Sequence, residues 1–125
     1  MQLNRRNLIV AFLMTTTIAA KASGPERGPN GGWKIDAGTR HHVEVVFDGT
    51  TTIQVYVSDA SSRPIPATGF GGTATIVVNG ATHRVPLSAA EGSRLTGTAP
   101  VAVPAGTKGA IQLQIPGVGS VRAVL

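Results

Sequence analysis

The stretch from His41 to Ser58 alternates apolar and polar residues twice in succession, on either side of Asp48-Gly49-Thr50-Thr51. Val43, Val45 and Phe47 alternate with His42, Glu44 and Val46; Ile53, Val55 and Val57 then alternate with Gln54, Tyr56 and Ser58. Side chains of a strand point to opposite faces with a period of two, so this pattern describes two half-buried strands joined by a turn. A two-residue loop at Asp48-Gly49 would set Phe47 against Thr50 and Val45 against Thr52, placing an apolar face beside a polar one. A slip of one residue reverses every side chain, so the register is strongly constrained. A loop of about three or five residues brings Val45 opposite Ile53 or Val55 and gives both strands one core face.

A chain of 125 residues has room for one domain. Residues 1–22 have the order of an export signal. Arg5 and Arg6 precede an apolar run from Leu8 to Ala20, and Ala20-Lys21-Ala22 is a small-residue cleavage site. The expected mature chain starts at Ser23 in the periplasm, by the general secretory route or the twin-arginine route that Arg5-Arg6 would serve. No stable membrane anchor is expected after cleavage. Arg5, Arg6 and Lys21 would leave with the signal, so the formal net charge falls from +5 to +2. The remaining cations are scattered and the aromatics few, which excludes a nucleic-acid surface. There is no cysteine, hence neither a disulfide framework nor a thiolate metal site.

Residues 23–32 form a Gly/Pro-rich lead, expected to be extended and mobile. Residues 33–125 contain the remaining strand signals. Trp33 to Asp36 is a short strand, with Trp33 expected as a plug at one end of the core. Thr73 to Val78 and Ala81 to Leu87 flank Asn79-Gly80, which suits a turn needing positive φ at both central residues. This register pairs Ile76 with His83 and Ala74 with Val85. Pro86 implies an edge strand. Arg94 to Ala99, Ala110 to Ile115 and Val121 to Leu125 complete the series. In the second of these, Ile111, Leu113 and Ile115 face inward while Gln112 and Gln114 face outward. No helical period occurs after residue 22, so the expected fold is all-β, an antiparallel Ig-like β-sandwich of about seven to eight short strands.

Signals of catalysis are weak. Gly69-Phe70-Gly71-Gly72-Thr73-Ala74 has the letters of a dinucleotide fingerprint, but a β-branched strand follows it where a helix N-terminus would be needed. No G-x-S-x-G or H-E-x-x-H motif occurs, and an enzyme is not expected. The candidate metal ligands are His42 and Glu44, two residues apart on one strand face, with Asp36 and His83 as ligands from neighbouring strands. Imidazole with carboxylate suits copper(II), nickel or zinc.

Gly28-Pro29-Asn30-Gly31-Gly32, Asp36-Ala37-Gly38, His41-His42-Val43-Glu44-Val45, Tyr56-Val57-Ser58-Asp59, Pro64 and Leu95-Thr96-Gly97 together resemble small exported proteins of Gram-negative bacteria. The same pattern resembles the small β-domains of periplasmic adaptor subunits of heavy-metal efflux pumps. That resemblance implies a non-catalytic periplasmic accessory module linked to metal-ion resistance, with an efflux component as partner. The alternative reading is a structural or protein-interaction domain of the envelope with no metal role, pairing through an exposed strand edge.

Overall fold

The alternation of His41 to Ser58 becomes a hairpin in one of the two registers that the face argument allows, the one with the five-residue loop. In the computed structural model, which describes residues 25–125, Val45 stands opposite Val55 and Phe47 opposite Ile53. The odd-length loop from Asp48 to Thr52 lies between them. Val43, Val45, Ile53, Val55 and Val57 are all buried. Thr50 donates its backbone N–H and its hydroxyl to Asp48 Oδ1, at 3.0 and 2.6 Å, which closes the turn. The expected signal segment, its expected cleavage site and residues 23–24 lie outside the described residues.

Nine strands follow in order: β1 (Glu26–Arg27), β2 (Trp33–Ala37), β3 (His41–Phe47), β4 (Thr52–Asp59), β5 (Gly71–Val78), β6 (Ala81–Ala89), β7 (Arg94–Thr98), β8 (Lys108–Ile115) and β9 (Gly119–Val124). Among the described residues all regular structure is strand. The β5–β6 hairpin turns at Asn79 and Gly80, with φ of 50° and 79°, and pairs Ile76 with His83 and Ala74 with Val85 as expected. In β8, Ile111, Leu113 and Ile115 are buried and Gln112 and Gln114 exposed.

The architecture corrects the expectation of two packed sheets. The strands form one continuous antiparallel sheet in the order β1-β2-β3-β4-β7-β6-β5-β8-β9. The physical reason lies in β7. It pairs with β4 from Thr52↔Thr98 to Tyr56↔Arg94, yet also pairs with β6 through Ser88↔Thr96 and Ala89↔Leu95. That short junction carries the hydrogen-bonded sheet round a corner, and the sheet curls so that both halves bury their inner faces in one core. Ile35, Val43, Val55 and Leu95 from one half meet Ala74, Ile76, Val85 and Leu113 from the other.

The corner also explains Pro86. Strand β6 is interior to the sheet, whereas the sequence implied an edge; the edges are β1 and β9. Pro86 pairs with Thr73 of β5 and lies just past the two-pair β6–β7 ladder, where its missing N–H is not needed. Across the corner, a Cβ on Gly97 would lie 2.4 Å from the Pro86 carbonyl oxygen, so the crossing needs glycine there.

Curling brings β2 and β9 side by side, where Gly38 N–H donates to Arg122 O at 3.3 Å. At the other end the seam stays open. Trp33, expected as a core plug, stands at that opening with 43 % of its surface exposed and the Arg27 guanidinium 4.4 Å from its ring centre.

Candidate functional site

Asp36 on β2 and His42 on β3 are direct cross-strand partners on the outer face of the sheet. His42 Nε2 lies 3.1 Å from Asp36 Oδ1, and His42 Nδ1 lies 3.1 Å from the Asp59 carbonyl oxygen. A carbonyl can only accept, so Nδ1 carries the proton in that contact. With Nδ1 so engaged, Nε2 faces a carboxylate oxygen, an arrangement that calls for a proton or a cation between them. The turn after β4 fixes the carbonyl that orients the ring. Ser61 and Arg63 donate backbone N–H groups to Asp59 Oδ1 at 2.8 and 2.9 Å. Those bonds, the one from Arg63 first, hold the Asp59 carboxyl below its ordinary range.

Glu44 has a different fate from its neighbour on the same face. Its side chain is almost wholly buried, at 3 % exposure, and a turn of the lead closes over it. Asn30 N–H and Gly32 N–H donate to Oε2 at 2.8 and 2.7 Å, and the Asn30 side-chain amide donates to Oε1 at 2.9 Å. The sequence of that turn follows from this task. A Cβ on Gly28 would lie 2.2 Å from Glu44 Cδ, one on Gly32 would lie 2.3 Å from Val45 O, and Gly31 has φ of 84°. The lead expected to be extended is thus ordered from Glu26: β1 pairs with β2, and residues 28–32 clamp a buried carboxylate. With its oxygens directed into the clamp, Glu44 is not turned toward His42 and Asp36.

His83 sits on β6, with β4 and β7 between its strand and β3 in the sheet. His41 faces its cross-strand partners Ala37 and Asp59. Among the described residues no three His, Cys, Asp or Glu side chains gather as a metal cluster. Of the four residues read from the sequence, the fold brings two together, His42 and Asp36. The contributions of Asn30 and of the Asp59 carbonyl were not read from the sequence. A lone glutamate inside Val43-Glu44-Val45-Val46, together with a glycine-rich turn upstream, was the available signal for the clamp.

Comparison of the chain with protein-family models, with curated proteins and with solved structures gives no match.

Proposed function

We propose that this protein is a non-catalytic binding module of the bacterial periplasm, exported by its N-terminal signal and serving metal-ion resistance beside an efflux component. The observation that carries the reading is the His42–Asp36 pair, with Nε2 and Oδ1 3.1 Å apart. Adjacent ligands of an ion bound at about 2.1 Å lie roughly 3 Å apart, so the pair already has the spacing of two ligands on one ion. The Nδ1 contact to a backbone carbonyl is the outer support that metal-bound imidazoles commonly have. The side chains are 23 % and 48 % exposed, which leaves room for water to complete the coordination. The resemblance of Gly28–Gly32 and His41–Val45 to adaptor β-domains supports the setting. Titration calorimetry on the untagged protein tests the site. Copper(II) should bind more tightly than nickel(II) or zinc(II), following the usual order of stability. His42→Ala should abolish that binding, Asp36→Asn should weaken it, and His83→Ala should leave it unchanged. Copper(II) binding that survives His42→Ala would overturn the assignment.

The second reading, an interaction domain without a metal, draws on β9. It is an edge strand, and its Val124 is 65 % exposed. An edge of this kind pairs readily with a strand from another protein. Loss of partner capture on Val124→Lys, with His42→Ala harmless, would favour it.

A further inference from the structure

The open end of the seam is a pocket of about 400 Å³, lined by Trp33, Ile35, Val45, Phe47, Lys108 and Leu125 among others. It exists because β2 and β9 are joined near Gly38 and Arg122 but diverge toward Trp33 and Leu125. Its volume falls within the range of small-molecule sites, about 300–1,000 Å³, and its walls are mainly apolar. The charges at the mouth share one sign. Lys108 is part of the lining, and Arg27 lies against the Trp33 ring. No acidic side chain lines the pocket, and among the described residues neither Arg27 nor Lys108 has a salt-bridge partner. Glu26, the acidic neighbour of Arg27, is turned to Lys34 instead, 3.4 Å away.

We propose that this pocket binds a free amphiphile with an apolar chain and an anionic head, of the class of a medium-chain carboxylate. The chain lies along Ile35, Val45 and Phe47, and the head meets Lys108 at the mouth, near Arg27, which is held against the Trp33 ring and to the Gly31 carbonyl. Burial of the chain supplies the attraction, and the contact with Lys108 selects the head. The proposal is independent of the metal reading, because Asp36 and His42 lie on the opposite face of the sheet from Ile35 and Val45.

Trp33 is the only tryptophan in the chain, so its emission reports on this site alone. The intact protein is titrated with sodium dodecanoate, dodecanol and dodecyltrimethylammonium, each below its aggregation threshold. Dodecanoate should give a saturable blue shift; dodecanol should bind roughly tenfold more weakly, the ratio that one charged contact worth about 1.4 kcal/mol produces. Lys108→Glu should weaken dodecanoate to the level of dodecanol, and Lys108→Arg should restore it. Phosphatidylglycerol vesicles free of fatty acid form the second arm and should not shift the emission. The absence of a saturable shift with dodecanoate would overturn the proposal. So would equal binding of all three amphiphiles, a shift seen with vesicles alone, or self-association of the protein that buries Trp33 before ligand is added.

Discussion

His42 and Glu44 are two residues apart on one face of β3, yet one keeps an accessible ring beside Asp36 and the other is sealed under a turn. The difference comes from the covering chain, because the strand itself treats both positions alike. Residues 28–32 fold back over Glu44 and supply N–H groups to its oxygens, and they stop short of His42. A buried carboxylate is tolerable only when its acceptors are filled, and here backbone amides fill them where another protein would use a cation. Lys34, the cross-strand neighbour of Glu44, is engaged with Glu26 and with Ser62. Glu44 therefore serves to anchor the lead, whereas His42 keeps a partly exposed ring beside Asp36.

Substitutions can break this contrast. The largest effect is expected for Glu44→Ala, which strands the Asn30 and Gly32 amides at roughly 1–3 kcal/mol each. Denaturant unfolding should register the combined loss, and a change within about 0.5 kcal/mol would mean the clamp contributes nothing. Gly32→Ala should follow at about 1–3 kcal/mol, since its Cβ would press on the Val45 carbonyl and neither backbone can yield easily. Gly31→Ala meets open space and should cost only its positive φ, about 1–2 kcal/mol. His42→Ala should cost about 1 kcal/mol or less, because its contact with Asp36 is partly exposed. A His42 variant as unstable as the Glu44 variant would erase the distinction between the sealed anchor and its open neighbour.

The smallest effect sharpens the comparison at the other end of β3. Asp48 also accepts bonds from a turn, through the Thr50 hydroxyl first and the Thr50 amide next, but at full exposure. Those bonds lower its folded-state pKa below the ordinary value of 3.8. A lowered folded value means that its stabilisation is present above the unfolded pKa and disappears as pH falls through the lowered one. Melting temperature followed from pH 5 downward should therefore fall slightly less steeply in Asp48→Asn than in the parent. Parallel curves would show that exposure has removed the whole contribution.

Local pattern was sufficient where a strand's two faces meet different surroundings. Period-two alternation specified the inward set Val43, Val45, Val55, Ile111 and Leu113, and face matching narrowed the partner of Val45 to Ile53 or Val55, of which the structure takes Val55. Asn79-Gly80 specified its own turn, because few residue pairs accept positive φ at both positions. What the sequence could not determine was every decision made by chain segments distant from one another. Alternation reports that a strand has an inner face but not whether its neighbours belong to one sheet or two, so the corner at β6 and β7 was not legible. Nor does it say what lies above the outer face. Only the tertiary structure set the Gly28–Gly32 turn over Glu44, left His42 beside Asp36, separated both from His83, and opened the seam at Trp33. Each of these depends on which strands the curl brings together, and hydrogen-bonded pairing across the sheet carries no signature in the residues taken one segment at a time.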